Sequence, residues 1–514
     1  MASDARVTPP RANHATIASP VPRSRFRLEP CLALALALGC QRDGERPVEP
    51  DASDPVRDGT LHGWSYEVTV DPSLDTADVR VCFDGHPPAR LIPGVPEALE
   101  HARDLHDDEG RPLPRRDEGY GLDAIPDDGC VGYTVDFEGL LASDGAGRMA
   151  GKTGNSLMVR PSVWLWRPDR LPAEVTPTLR FSLPEGMEVS VPWPATEPSA
   201  RGRDATYCLE PTAFRWLAYA VVGELTVDRF ERAGARVELV TLDAPLRCPP
   251  EGLRAWVEDA VDTVALLFDG RFPRDRLQVV VLPVEGGGGG TVYFGMAGRG
   301  GGPGIYVFLD DEAAAERLPG GWTTVHEMLH HGMPFIDEPW MAEGWVSYYT
   351  ELMRTRMGHR SEQEGWQALL DAFERGRRRR MDLTLAQTSE QMHETHAYQR
   401  VYWGGASVAF LADVQMRLET KGERGLDDAM QELRRCCGDA PQMWKAQALL
   451  ERLDAWYGRP LFSETARAVL SERELPDVEA AMERIGVQVV DGEARLDDEH
   501  PAAAIRRAIM APRR

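Results

Sequence analysis

The chain has 514 residues, 42% hydrophobic and 27% charged, with a formal net charge of −24. That length exceeds one ordinary core and predicts two or three domains in a soluble, globular protein. A charge this negative argues against a nucleic-acid partner, whose phosphates require a basic surface, and no run reaches the roughly 20 apolar residues that span a bilayer.

The first feature in chain order is the short apolar run "CLALALALGC", Cys31 to Cys40, preceded by Arg23, Arg25 and Arg27. Basic residues, an apolar core and small residues before a cysteine follow the order of a secretory signal; a buried first helix is the alternative. The terminal "ALGC" resembles the lipobox of bacterial lipoproteins, although Ala37 stands where Leu is usual. The resemblance implies lipidation of Cys40, export, and membrane contact through that anchor alone. A start at Val21 would give the signal an ordinary length. Residues 41–60, acidic and polar with Pro47, Pro50 and Pro55, read as a linker. Export permits disulfides. The sequence-local pairings are Cys82 with Cys130 and Cys208 with Cys248, while adjacent Cys436 and Cys437 are expected to be reduced or singly paired.

Residues 61–235 alternate polar and apolar side chains in short segments such as "WSYEVTV" and "TLRFSLP", separated by Pro, Gly and Asp, and predict a β-rich domain of sandwich type. In 236–360 the texture is mixed. "ARVELVTL" and "RLQVVVLPV" read as strands, and "EGLRAWVEDAVDTVALLF" between them repeats its apolar residues at three and four, which predicts a helix. Residues 361–514 are helical in pattern, with the final "ARLDDEHPAAAIRRAIMAP" read as returning to extended structure. The basic run Arg377 to Arg380 fits a helix C-terminus.

Within the mixed segment stands "HEMLHHGMPFIDEPWMAEGWVSYY" from His326. His326, Glu327 and His330 form HExxH. Residues at i and i+4 share a helix face with their β-carbons about 5–6 Å apart, so both imidazoles reach one zinc ion at about 2.0–2.1 Å. Glu327, turned about 100° from His326, is placed to act as a base toward water rather than as a ligand. Trp322, Val325 and Leu329 are expected on the opposite, core-facing side. A catalytic zinc takes three protein ligands. His331 points away from His330, and Glu343 is the favoured third ligand, with Asp337 and Glu338 as alternatives. "GMPF" ends the first helix; Asp337 or Glu338 caps a second and Pro339 fits its first turn. On that helix Glu343, Ser347, Thr350 and Glu351 form a polar stripe, which needs a partner such as a zinc-bound histidine pair.

HExxH followed by "PWMAEGWVSYY" resembles the gluzincin metallopeptidases, whose third ligand is a Glu in W-x-x-E-G; it maps onto Glu343, twelve residues beyond His330, a shorter spacing than in the alanyl-type aminopeptidases. "YWGGASV" from Tyr402 is similar to the Y-x-x-G-A-x-V helix of the glycyl aminopeptidase family, which implies that Tyr402 donates to the oxyanion, with Tyr398 as the alternative donor. The glycine run from Gly286 stands where those families place a substrate-pairing edge strand, which implies substrate contact at Gly288, Gly289 and Gly290, where a side chain would block the peptide. Their amine-holding Glu after the glycines has no counterpart in "TVYFGMAG", and Glu285 precedes the run; exo- and endopeptidase both stay open. Over residues 61–500 the resemblance implies an α+β multidomain architecture. An N-terminal β-sandwich-like domain precedes a thermolysin-like α/β zinc domain, and a helical C-terminal part completes a peptidase unit acting on peptide or protein substrates. The alternative is a non-catalytic envelope lipoprotein with a structural or vacant metal site and a binding β-domain.

Overall fold

The computed structural model describes residues 60–512 apart from 144–148, 172–174, 198, 200, 215, 287–290, 379–381 and 440–441. The signal-like run with Cys40, residues 41–59, Gly288, Gly289 and Gly290, and Arg379 and Arg380 lie outside the described residues.

The chain opens with strand Leu61–Val70, which turns back on Thr76–Gly85 and also pairs in parallel with Thr178–Ser182. These belong to a mixed six-stranded sheet, and two four-stranded sheets complete the first part of the molecule. The alternation read from sequence is realised as burial: Trp64, Tyr66, Val68 and Val70 point into the core. That core is aromatic. Phe214 packs on Trp64 and Tyr66, and the buried hydroxyls of Tyr66 and Tyr133 donate to the carbonyls of Trp166 and Trp164 at 2.7 and 2.9 Å.

A five-stranded sheet follows, in the order Thr226–Arg232, Ala235–Thr241, Arg276–Val284, Gly304–Asp310 and Val292–Gly298. The first pair is a hairpin closed by Ala233 and Gly234, both at positive φ, the backbone that a two-residue turn between twisted strands demands. Strand Thr226–Arg232 thus joins this sheet although it lies before residue 235. The central strands run parallel, with helix Pro250–Ala265 as the crossover, and Val292–Gly298 is the antiparallel edge. Helices Trp322–Leu329, Pro339–Arg356, Glu362–Arg377 and Tyr398–Glu419 share one hydrophobic core with this sheet and with the later helices. After strand Glu493–Leu496 the chain ends in helix Ala503–Met510 rather than in extended structure. "AAIRRAIM" has strong helix formers and buries Ile509 and Met510.

The cysteines follow the sequence reading at one pair and depart from it at the other two. Cys82 and Cys130 face each other across neighbouring strands and are bonded. Cys208 and Cys248 are both free, because Cys208 ends a strand of the first sheet while Cys248 is buried in the core of the second part. Cys436 and Cys437 are bonded to each other, where the sequence suggested reduced or singly paired thiols.

Candidate metal centre

Helix Trp322–Leu329 carries His326 and Glu327 and passes into a single tight turn, His330–Gly332, so His330 sits at the helix end. Val325, Met328 and Leu329 anchor it in the core. Trp322 does not share that side. It lies one turn before His326 and stacks on it, with ring centroids 4.3 Å apart and planes 20° from parallel, because residues four apart face the same way.

The second helix begins at Pro339 after Glu338. Asp337 and Glu338, the alternative ligands, turn outward: Asp337 pairs with Lys445, and Glu338 accepts from the Ala446 backbone at 2.7 Å. Glu343, one turn into the helix, turns inward. Its Oε2 lies 3.1 Å from His326 Nε2 and 3.4 Å from His330 Nε2, and the three side chains are 1–3% exposed. Their potential ligand atoms all fall within 4.8 Å of one another, a compact His, His, Glu cluster.

The donor set fits zinc. Two imidazole nitrogens and one carboxylate oxygen converge, and burial keeps the histidines neutral. His326 is pushed down to about 3 by desolvation and then by the nearby Arg299 guanidinium, and His330 is lowered by the same causes. Burial raises Glu343 to about 8 against the lowering effect of a hydrogen bond from Tyr402. A divalent ion supplies the charge that lets these groups act as ligands. Thr350 gives its hydroxyl hydrogen to the Val346 carbonyl at 2.8 Å, and its oxygen faces His326 Nδ1 at 3.4 Å. That arrangement favours the tautomer with its proton on Nδ1, leaving Nε2 for the metal.

Glu327 is half-buried beside the trio. Burial raises its carboxyl to about 7, against the lowering influence of Arg299 and a hydrogen bond from the Ala297 amide. Ala297 belongs to the edge strand, and a β-carbon on Gly295 would come within 2.7 Å of Glu327 Cγ. The missing side chain at Gly295 lets helix and strand approach. Tyr402 lies in helix Tyr398–Glu419 with its ring 5.9 Å from that of His326 and 8° from parallel. Tyr398 instead neighbours His393 and His396. His331 is buried against the Gly304 carbonyl at 3.2 Å, outside the trio.

Arg299 escaped sequence reasoning. It follows the edge strand, is 15% exposed, and lies 3.5 Å from Glu343 Oε1 with its guanidinium 5.5 Å over Phe335. The only signal was one arginine among glycines. Those glycines are packed: a β-carbon on Gly300 or Gly301 would strike Trp216 or the Leu217 carbonyl.

The sequence matches no family model and no curated protein. Solved structures do match. An aminopeptidase N family protein from Idiomarina loihiensis is 17% identical, with a TM-score of 0.65, covering 85% of this chain and 82% of its own. An M1 zinc metallopeptidase from Deinococcus radiodurans, a glutamate-to-alanine variant bound to Tyr-Ser-Ala, is 14% identical, with a TM-score of 0.54, covering 81% of this chain and 95% of its own. The chain shares the mixed α+β multidomain fold of M1 zinc metallopeptidases of the aminopeptidase N family, in which its His, His, Glu cluster stands ready for zinc.

Proposed function

We propose that the protein is a zinc-dependent peptidase, with His326, His330 and Glu343 as ligands, Glu327 as general base and Tyr402 as oxyanion donor. The observation that carries this reading is the buried trio with a further carboxylate, Glu327, at its side and the edge strand Val292–Gly298 packed against it. A structural zinc site has no use for that base. Zinc held by the trio supplies Lewis-acid polarisation and makes water acidic near neutral pH.

The chain's own groups do the rest. The edge strand Val292–Gly298 has one partner among the described residues, Gly304–Asp310, so its outer edge can pair with an extended peptide. Glu327, with its carboxyl near 7, takes a proton from water and returns it to the leaving amine. Burial holds the Tyr402 phenol well above its usual value, and the negative charges of Glu343 and Glu327 add to this; it remains a donor at neutral pH and exchanges its bond to Glu343 for the developing oxyanion.

The decisive experiment measures metal content and peptide hydrolysis for the wild type and Glu327→Gln. Expected are one equivalent of zinc in both and a loss of about 10²–10⁴-fold in kcat for the variant; zinc without cleavage of any peptide in a library sinks the reading. The family likeness favours removal of N-terminal residues, and equal cleavage of free and N-acetylated peptides would rule that out. We also propose export with a lipid on Cys40, supported by the basic, apolar, small-residue order before it and by the Cys82–Cys130 bond, which suits an oxidising compartment. Mass spectrometry of the mature N-terminus tests this.

A further inference from the structure

A cleft of about 390 Å³ opens beside His330, between the loop after the edge strand and Phe335, and four arginines line it: Arg236, Arg274, Arg276 and Arg299. Its carboxylates are sorted to the rim. Glu210, Asp275 and Asp439 are all exposed, the last two at 85% and 66%; the Arg236 side chain is also 61% exposed, whereas those of Arg274 and Arg299 are 25% and 15% exposed. Asp439 is already engaged by Arg274 and Arg434. Arg276 keeps Nη1 buried with no hydrogen-bond partner among the described residues, and a buried orphan donor is costly unless a ligand takes it. Burial lowers Arg274 and Arg276, and a neighbouring guanidinium adds to each effect, Arg434 for the first and Arg236 for the second. Cations crowded into a half-closed space, in a chain whose net charge is −24, are an arrangement that an anion relieves.

We propose that this cleft binds a carboxylate of the peptide substrate through Arg276, Arg299 and Arg274, and so selects peptides bearing negative charge near the scissile bond. A guanidinium presents two parallel N–H groups that match a carboxylate. Arg299 sets the place, because its contact with Glu343 puts the cationic wall within one side chain of the metal ligands. The carboxylate comes from an acidic side chain or from a free C-terminus, and an α-amine in the same cleft would meet like charge. The peptidic nature of the ligand rests on the function proposed above; the anion site rests on the arginines themselves.

The test uses the zinc-loaded full chain carrying Glu327→Gln, which keeps peptides intact, and calorimetric titration with three N-acetylated tetrapeptides. One is neutral with a C-terminal amide, one has a single Gln replaced by Glu, and one has a free C-terminal carboxylate. Expected is at least tenfold tighter binding of one or both anionic peptides, narrowing as salt is raised and falling below threefold when Arg276→Gln is added; Arg274→Gln serves if that variant does not fold. The Glu peptide identifies a side-chain carboxylate as the source, and the free acid identifies the C-terminus. Equal binding of all three, no binding of either anionic peptide at millimolar concentration, or discrimination that survives the arginine substitutions overturns the proposal. Charge-selective binding by a chain whose wild type cleaves no peptide refutes the peptidase reading alone, and cleavage without charge discrimination refutes this inference alone.

Discussion

Burial sets the ionisation of the ligand trio before any metal arrives. With His326 depressed to about 3 and Glu343 raised to about 8, the metal-free protein at pH 7 holds neutral histidines and a protonated Glu343. A ligating carboxylate must be ionised, so zinc uptake at pH 7 releases about one proton and affinity climbs as pH rises toward 8. Titration calorimetry in two buffers of different ionisation enthalpy measures the released proton, and a heat independent of buffer would contradict the assignment. In the proposed function, Tyr402 separates chemistry from metal binding. Its phenol bonds to Glu343 but is not needed to hold the ion, so Tyr402→Phe should retain full zinc content by elemental analysis while losing about 10²–10³-fold in kcat.

At the scale of elements, two glycines explain how helices Pro339–Arg356 and Tyr398–Glu419 bring Glu343 and Tyr402 together. A β-carbon on Gly405 would sit 1.7 Å from the Trp340 carbonyl oxygen, and one on Gly344 would lie 2.4 Å from the Gly405 backbone. Gly344, next to Glu343, and Gly405, three residues after Tyr402, are therefore the contact points of the crossing, and Gly405→Ala must push the backbones apart. A cost of about 1–3 kcal/mol is expected, read by chemical denaturation, with a fall in kcat at unchanged zinc content as Tyr402 moves away. Behind the crossing, Asp427 is held by Arg356 at 3.1 Å and Arg417 at 3.3 Å and accepts from Tyr349 at 3.0 Å. Burial alone would raise its carboxyl, but the two guanidinium groups outweigh burial and hold it below the usual range. Its contribution is present above the unfolded value near 3.9 and is lost as pH falls through the lower folded value. Asp427→Asn leaves two buried arginines short of charge and should cost about 3–5 kcal/mol at pH 7, a difference that shrinks in denaturation measured at strongly acid pH.

Across the whole molecule, what the sequence revealed divides by range. The convergence of His326, His330 and Glu343 was legible because helical periodicity and a short elbow fix it within eighteen residues. Arg299, 44 residues from Glu343, was not, since only the position of the edge strand in the sheet brings them together. The same holds for Cys208 and Cys248, whose closeness in sequence is undone by a change of core. The joint between the two β regions was equally hidden. Met158, Tyr219 and Val221 from the first part pack with Val240, Val280, Leu282, Met296 and Tyr306 of the five-stranded sheet. A polar chain runs through the joint: Tyr306 Oη accepts from the Tyr219 amide at 2.9 Å and donates to Gln278 at 3.3 Å, and Gln278 donates to Ser190 at 3.0 Å. Trp193 adds a bond to the Gly301 carbonyl at 2.9 Å, fixing the loop that bears Arg299. Covering each large apolar side chain contributes roughly 1.5–3 kcal/mol, so losing this face removes an amount comparable to the about 5–15 kcal/mol that stabilises a whole domain. A fragment beginning at Thr226, although it keeps the entire ligand trio, should therefore be aggregated or lack a cooperative thermal transition, whereas the full chain melts cooperatively. Scanning calorimetry and light scattering on both proteins check this, and a monodisperse fragment with a sharp transition and bound zinc would show that the metal centre stands without its β-rich support.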